Sequence, residues 1–381
     1  MSVQVGYKKQ FLFGIIFIII ILSVFEISAR LYEYSPVSQQ CIFVDSPAVG
    51  DMDYFLVKQI CIDHNSLRYA TFPNSSVTSL TPVTTETINI NSFGLRGPEF
   101  TQEKSMNSYR IFLVGGSSTF GSGSVDENTI TGFMQKLFDN SDLGSDIEII
   151  NAGIPGAESF RETWLIRNIL FDLDPDLIIN FGGFNDAVMI NEPYERDAYR
   201  NYTDYNQTSL SEKNENDKME SESFRFNNFP FYRTPFVIYD IFFHDYNKQS
   251  LITYDDISFS KITTEYYENW KNICDIATEK NIQTVIILQP GSGITDRNIF
   301  PGEIDTGEEI HEMYQRLAVS IDDLSRHCSL TEDFRTIFDD INEPIYLDTI
   351  HTGDFGNKII AEKIYGKILP IIAKDLSQYQ K

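Results

Sequence analysis

The sequence predicts an α/β fold: a three-layer α/β/α sandwich with a central parallel sheet, preceded by one N-terminal transmembrane helix. Three observations support this prediction. Short apolar runs that end at Gly, Pro or Asn recur along the chain. Longer segments with helical apolar spacing lie between them, and this alternation is typical of parallel sheets covered by helices on both faces. One apolar run, near the N-terminus, is much longer than the others.

The strands are predicted where a short apolar run is bounded by turn residues. These runs are residues 109–114, 146–151, 177–181 and 284–290. Helices are predicted at residues 130–137, 160–170, 266–280, 310–326 and 357–372. One face of the last helix is apolar and consists of Ile359, Ile360, Ile364 and Ile368. We therefore expect this helix to dock on the sheet and to hold the residues just before it.

Four short motifs accompany these elements. They are residues 115–121 (Gly-Gly-Ser-Ser-Thr-Phe-Gly), 151–156 (Asn-Ala-Gly-Ile-Pro-Gly), 183–186 (Gly-Phe-Asn-Asp) and 348–351 (Asp-Thr-Ile-His). Each follows a predicted strand or precedes a predicted helix. Because ligand sites of parallel sheets lie at the carboxyl edge, we expect the motifs to meet there.

The residue types in these motifs can form a serine-hydrolase site. A serine hydroxyl becomes an effective nucleophile when an imidazole takes its proton, and a carboxylate fixes the tautomer of that imidazole. We predict Ser117, His351 and Asp348 for these three roles. An oxyanion needs preorganised donors. The predicted donors are the backbone N–H groups of Ser117 and Gly156 and the side-chain amide of Asn185.

Each motif by itself also has an ordinary explanation. Glycine-rich runs after apolar segments are common turns, and a His beside a carboxylate is often a structural hydrogen-bond pair. The order and context of the four motifs together favour the hydrolase interpretation.

The order of Ser117, Gly156, Asn185 and His351 resembles that of the SGNH (GDSL-like) hydrolase family, which is named after these four residue types. The resemblance extends over roughly residues 91–372, because residues 91–99 (Asn-Ser-Phe-Gly-Leu-Arg-Gly-Pro-Glu) are similar to the lead-in of membrane-anchored members. It implies a flavodoxin-like SGNH hydrolase fold and esterase chemistry.

The resemblance also implies which of two adjacent serines is the nucleophile. Ser117 has Thr119 and Gly121 at the family's offsets of two and four, whereas Ser118 does not. The family usually has Gly-Asp-Ser at this motif, and this chain has Gly-Gly-Ser at residues 115–117. The difference bears on the local loop geometry and on the choice of substrate.

The N-terminal apolar run predicts a membrane anchor. Residues 11–29 carry one charged residue, Glu26, and their length is close to the ~20 residues that span a bilayer. Lys8 and Lys9 precede the run, so the positive-inside rule predicts a cytoplasmic N-terminus and a catalytic domain outside the cell membrane. The alternative is a signal peptide cleaved after Ala29.

The four cysteines allow two disulfides, and proximity suggests Cys41 with Cys61 and Cys274 with Cys328. Buried free thiols are the alternative. We predict no metal or other cofactor, because the histidines outside the site are scattered along the sequence. They are His64, His244, His311 and His327.

Composition limits the possible functions and partners. The chain has 381 residues, of which 42% are hydrophobic, enough for one large domain and a smaller segment. Its formal net charge of −25 argues against a nucleic-acid partner, because phosphate binding needs basic patches. The membrane is an expected partner only through the N-terminal helix.

The chain is predicted to consist of a membrane anchor (residues 1–30), an extracytoplasmic spacer or small subdomain (31–86) and a hydrolase domain (87–376). The hydrolase domain has an insertion at about residues 191–260, which begins acidic and becomes aromatic between Phe224 and Phe243. The aromatic part could cover a substrate site as a lid or simply pack on the domain.

These features predict a serine esterase that hydrolyses acetyl or longer acyl esters of a small molecule, glycan or lipid outside the cytoplasmic membrane. Two alternatives remain. An O-acyltransferase would pass the same acyl-enzyme to a sugar hydroxyl, and a catalytically silent envelope protein would only bind glycans.

Overall fold

The structure, a computed structural model, describes residues 6–33, 43, 46–72, 75, 77–188, 256–296, 299–300, 303 and 305–379. The chain divides into two units, which are described separately. The first unit comprises residues 1–41 and 204–251. The second comprises residues 42–203 and 252–381 and contains the sheet.

The described part of the first unit is a single helix, α1 (Tyr7–Glu33). Its segment Tyr7–Ser28 has a mean hydropathy of 2.7 and is long enough to cross a membrane. The predicted apolar helix at about residues 11–29 is therefore confirmed as a helix. Its length, composition and position fit a membrane anchor and a signal sequence equally.

The second unit contains the other described helices and all the described strands. Its helices are α2 (Tyr54–Ser66), α3 (Ser117–Phe120), α4 (Ile130–Asp139), α5 (Ser159–Asn168), α6 (Phe184–Val188), α7 (Asp256–Glu279), α8 (Glu308–Leu324) and α9 (Asp354–Tyr379). Its strands are β1 (Tyr69–Thr71), β2 (Thr78–Leu80), β3 (Val83–Thr84), β4 (Asn89–Ile90), β5 (Ser108–Gly115), β6 (Asp146–Gly153), β7 (Leu177–Gly182), β8 (Gln283–Leu288) and β9 (Leu330–Asp333).

The central sheet has five strands in the order β6-β5-β7-β8-β9, and every neighbouring pair is parallel. If the five strands of this sheet are numbered 1 to 5 along the chain, their order in the sheet is 2-1-3-4-5, as in flavodoxin-like folds. The predicted three-layer α/β/α sandwich is confirmed, together with its four strands and five helices. The edge strand β9 and the two small antiparallel pairs, β1 with β2 and β3 with β4, were not predicted.

The sheet is covered on both faces because its side chains alternate between two apolar layers. Phe112 and Val114 of β5 face the layer that includes residues of α5, α7 and α8. Ile111 and Leu113 face the layer formed with α4 and α9. The apolar face predicted for the last helix lies in this second layer, with Ile360, Ile364 and Ile368 buried and Ile359 packed against them.

One of the two predicted disulfides lies wholly within the described residues. Cys274 of α7 is bonded to Cys328, which follows α8, and the prediction for this pair is confirmed. Cys61 is also disulfide-bonded, but its predicted partner, Cys41, lies outside the described residues. The insertion predicted at about residues 191–260, with its aromatic stretch, falls almost entirely outside them as well.

Within the second unit, described residues between 46 and 90 contact the part of the chain that contains the sheet. The carboxylate of Asp63 in α2 accepts hydrogen bonds from the backbone N–H and the hydroxyl of Thr87, at 2.8 and 2.7 Å. Leu80, Ile88 and Ile90 form a small buried cluster with Phe120 of α3. The chain preceding the predicted hydrolase domain is thus in contact with the helix that begins at Ser117.

A buried carboxyl group on α5 makes the stability of the protein depend on pH. Glu162 of α5 is almost completely buried and accepts a hydrogen bond of 2.9 Å from Asn180 of β7. Burial, together with the negative charges of Asp186 and Glu158, raises the pKa of Glu162 well above its ordinary 4.5, although the Asn180 hydrogen bond opposes this shift. The folded protein therefore holds this proton above the pH at which the unfolded chain releases it, and Glu162 lowers stability as the pH rises.

We expect Glu162→Gln to raise the thermal unfolding midpoint at pH 7–8, because glutamine resembles the protonated carboxyl group. The gain should disappear near pH 4, where the wild-type side chain is protonated in both states. Exposed Glu268 of α7 provides the control, Glu268→Gln. Equal midpoint changes for the two variants across this pH range would contradict the prediction.

Candidate active site

Three strands of the sheet end at the same level. Gly115, the last residue of β5, pairs with Gly153 of β6 and with Phe181 of β7. The chain segments that leave these strands carry Ser117, Gly156 and Asn185. Because β5 lies between β6 and β7, the three predicted residues leave adjacent strands at the carboxyl edge, where flavodoxin-like folds bind ligands.

The structure brings the predicted nucleophile, base and orienting carboxylate into one chain of contacts. Ser117 Oγ lies 2.7 Å from His351 Nε2. His351 Nδ1 lies 2.6 Å from Asp348 Oδ2. These contacts fit the tautomer that donates its Nδ1 hydrogen to Asp348 and leaves Nε2 free to accept the serine proton. Ser117 and His351 are partly exposed, as groups that meet a substrate must be.

Asp348 is held as a carboxylate despite its burial. Burial raises its pKa, but the hydrogen bond and electrostatic interaction with His351 and the backbone N–H groups of Ile350 and His351 lower it more. The net effect is a pKa below its ordinary 3.8. The two backbone N–H groups bind Asp348 Oδ1 at 2.9 and 2.8 Å, so Oδ2 is left for the imidazole. The carboxylate therefore lies where the predicted orienting group must lie, in contact with His351 Nδ1.

The adjacent serine points elsewhere. Ser118 is buried, and its Oγ lies 3.5 Å from the backbone oxygen of Ile350 and 3.4 Å from Gln289 Nε2. Of the two serines, Ser117 is thus the one in contact with the imidazole.

The side-chain amide predicted as an oxyanion donor, that of Asn185, lies against the backbone just before Ser117. Asn185 Nδ2 donates a hydrogen bond of 2.6 Å to the backbone oxygen of Ala157. A Cβ atom on Gly116, the residue before Ser117, would collide with the same Nδ2 atom. Glycine at 116 therefore lets this amide approach the backbone that leads into Ser117.

Gly156 has a free backbone donor at the same edge. Within the described part of the chain, its N–H has no acceptor, and the residue is exposed. Its φ of +76° lies in the left-handed region that glycine adopts without strain. Its neighbour Ala157 accepts the Asn185 hydrogen bond, so both predicted donors belong to one joined pair of turns.

Arg96, a residue to which the sequence pattern assigned no role, binds the turn that follows Ser117. It is 2% exposed and donates hydrogen bonds to the backbone oxygens of Phe120, Gly121 and Ser124 at 2.7–3.0 Å. Its Nε atom pairs with Asp126 at 2.7 Å. A guanidinium group has five N–H donors in a fixed plane, which suits it to bind several carbonyls of one turn. Its place in residues 91–99 was the signal available in the sequence.

His64 of α2 was also missed as a neighbour of the site. Its Nε2 lies 3.0 Å from Ser122 Oγ, and the backbone N–H of Ser122 donates to the backbone oxygen of Ser117. The pKa of His64 is lowered from 6.5 to about 4, mainly by burial and further by electrostatic interactions with His351 and Arg96. A hydrogen bond with Asn65 acts in the opposite direction. His64 is therefore neutral at pH 5–8.

In the described part of the chain, no group of three or more His, Cys, Asp or Glu side chains is arranged to hold a metal ion. The polar groups that converge at the carboxyl edge are the serine, imidazole, carboxylate and amide already described.

No protein-family model matches the chain, and no curated protein sequence matches it. Similar solved structures include an acetyl xylan esterase, AlAXEase (15% identity, TM-score 0.41, covering 68% of this chain and 99% of that chain). They also include Axe2, an acetylxylan esterase from Geobacillus stearothermophilus (13% identity, TM-score 0.41, 68% and 94%). A third is a lipase/acylhydrolase from Enterococcus faecalis (14% identity, TM-score 0.38, 68% and 95%). At these identities and TM-scores, what the site can do follows from its own distances alone.

The lowered pKa of His64 makes stability depend on pH. Between about pH 6.5 and 4 the unfolded chain binds a proton at this residue and the folded protein does not, so the wild type loses stability as the pH falls through this window. We expect His64→Gln, which keeps a polar group beside Ser122, to reduce this acid-induced loss by about 1.4 kcal/mol for each pH unit within the window.

Unfolding midpoints at pH 7.5 and 5.0 measure the effect. The matched control is His311→Gln on α8, where the imidazole contacts Gln315 at the surface. If the midpoint of His64→Gln falls between these pH values as much as that of the wild type, the prediction is wrong.

Proposed function

We propose that this chain is a membrane-anchored serine esterase that hydrolyses acetyl or longer acyl esters outside the cytoplasmic membrane through an acyl-enzyme. The observation that carries the proposal is the continuous contact from Ser117 Oγ through the His351 imidazole to the Asp348 carboxylate, with distances of 2.7 and 2.6 Å. The open donors beside Ser117 supply the second requirement of acyl transfer, because developing negative charge on the substrate oxygen needs fixed hydrogen-bond partners.

In the first half of the reaction, Ser117 Oγ attacks the ester carbonyl carbon while His351 Nε2 takes its proton. The carbonyl oxygen becomes an oxyanion, held by the N–H groups of Ser117 and Gly156 and by the amide of Asn185. The imidazolium then protonates the leaving alcohol oxygen as its bond to carbon breaks. Asp348 stabilises the positive charge on His351 during this interval and does not itself take the proton.

In the second half, a water molecule replaces the alcohol. His351 takes a proton from this water as its oxygen attacks the acyl carbon, and the same donors hold the second oxyanion. The bond between the acyl carbon and Ser117 Oγ breaks, and the imidazolium returns the proton to Oγ. The products are a carboxylic acid and an alcohol, and the enzyme is regenerated.

Two features support the proposed location outside the cytoplasmic membrane. The apolar helix α1 begins beside Lys8 and Lys9, which favours a cytoplasmic N-terminus. The disulfide between Cys274 and Cys328 requires an oxidising compartment to persist, because cytosolic thiols are normally kept reduced. The substrate class proposed for this location is a surface-accessible ester of a small molecule, glycan or lipid.

Substitutions at the edge of the sheet test the mechanism with the full-length protein in detergent. Ser117→Ala should abolish labelling by a fluorophosphonate and hydrolysis of p-nitrophenyl acetate. We expect His351→Ala to lower kcat at least about 1,000-fold, and Asn185→Ala about 100-fold with little change in KM, because single oxyanion donors act mainly in the transition state.

Ser118→Ala is the matched control and should remain active, since its hydroxyl does not contact the imidazole. Activity that survives Ser117→Ala but is lost in Ser118→Ala would contradict the assignment. Supplying a sugar alcohol in the assay and measuring released acid against acylated sugar distinguishes hydrolysis from acyl transfer.

The proposed topology predicts how the protein fractionates. It should stay with the membrane through a carbonate or high-salt wash, because weakening electrostatic contacts does not remove a spanning helix. A protease added to intact cells should digest the catalytic unit. A mature protein that starts at Arg30 would indicate a cleaved signal peptide, and protection of the catalytic unit from the protease would reverse the orientation.

A further inference from the structure

A short segment between the apolar helix and the sheet runs along the loop that carries Asp348 and His351. We call its described residues, Phe43 and 46–49, the N-terminal strap. Ser46 Oγ donates a hydrogen bond of 3.2 Å to the backbone oxygen of Tyr346, across 300 residues of sequence. The backbone oxygen of Ala48 lies so close to Gly353 that a Cβ atom there would collide with it. The strap therefore contacts the loop on both sides of the predicted base.

The strap has a defined local structure. The Ser46 N–H donates to the backbone oxygen of Phe43 at 3.1 Å, and Ser46 Oγ accepts from the N–H of Ala48 at 3.3 Å. Residues Pro47–Val49 form a short 3₁₀ turn capped by this serine. Phe43 is 8% exposed and Ser46 is 6% exposed. These contacts fix the position from which the Phe43 ring enters the site.

The ring of Phe43 packs against the imidazole of His351. Their centroids are 5.8 Å apart and their planes are at 75°, which is an edge-to-face arrangement. The same ring lies beside Gly123, where a Cβ atom would be 3.5 Å from Phe43 Cδ2. Phe43 thus lies between the turn that follows Ser117 and the loop that carries His351.

The hydrogen bonds of the His351 imidazole do not by themselves fix the orientation of the ring. Asp348 holds Nδ1, but the ring can still swing about that contact and move Nε2 away from Ser117. A change of about 1 Å in the position of a reacting group can reduce the rate about 100-fold. A bulky apolar group packed beside the ring restricts this swing.

We propose that Phe43 is a positioning residue that holds the His351 imidazole in the orientation that reaches Ser117 Oγ. The proposal rests on the esterase function proposed above. It makes the segment before the catalytic sheet a part of the active site, although this segment supplies none of the reacting groups.

The test is a size series at position 43, consisting of Phe43→Leu, Phe43→Val and Phe43→Ala in the full-length protein. Each kcat for p-nitrophenyl acetate is divided by the fraction of sites that a fluorophosphonate can titrate. We expect kcat to fall stepwise, within about 5-fold for leucine and about 10–100-fold for alanine, with KM changed less than about 3-fold. The rate of fluorophosphonate labelling should fall in the same order.

The control for a purely structural effect is Phe138→Ala. Phe138 is 3% exposed and packs against Tyr365 in the apolar layer between α4 and α9. This variant should lower the unfolding midpoint while kcat per labelled site stays at the wild-type value. If Phe43→Ala does not fold, the leucine and valine variants, which remove less volume, give the same ordering.

The outcomes separate the two proposals. If wild-type labelling does not depend on Ser117, the esterase function fails and this proposal fails with it. If the wild type is labelled at Ser117 but kcat is flat across the size series, only the role of Phe43 is overturned. A series in which KM rises while kcat is unchanged also overturns it, because that result assigns Phe43 to the substrate-binding wall.

Discussion

The candidate site depends on the parallel pairing of β5 with β6 on one side and β7 on the other. This pairing places Gly115 opposite both Gly153 and Phe181, so three chain segments leave the sheet at one level. A Cβ atom on Gly153 would collide with the backbone of Phe120, so the turn after Ser117 rests directly on the end of β6. A register shift of one residue would bring the ends of these strands out of level and move each side chain to the other face of the sheet.

The two halves of the proposed triad are held by different means. Ser117 lies on a turn whose carbonyls are bound by the buried guanidinium of Arg96, which itself is neutralised by Asp126. His351 lies on a loop held by hydrogen bonds to Asp348 and by contacts with the N-terminal strap. The charged Arg96 thus holds the turn of Ser117, and local hydrogen bonds and packing hold the loop of His351. As a result, Ser117 Oγ and His351 Nε2 meet at hydrogen-bond distance.

The sequence predicted those parts of the fold and site that depend on local patterns. The strand β5 and the apolar face of α9 are visible as spacing, and Ser117 and His351 stand in recognisable motifs. The strand β9 was missed because Leu330–Asp333 contains one large apolar residue and is only partly buried at the sheet edge, so no periodicity marks it. The contact of Phe43 with His351 was missed because it joins residues about 300 positions apart, and no local pattern encodes such a pairing.

The separation of 234 residues between Ser117 and His351 has a consequence during synthesis. A ribosome adds ~5–20 residues per second, so the serine emerges roughly 10–50 s before the histidine. Because α9 follows His351 and completes the second apolar layer, we expect the loop to take up its final position only after α9 has been made. If α1 enters a membrane during synthesis, as proposed, it does so before Ser117 has met His351. The proposed hydrolytic activity therefore depends on the synthesis of α9.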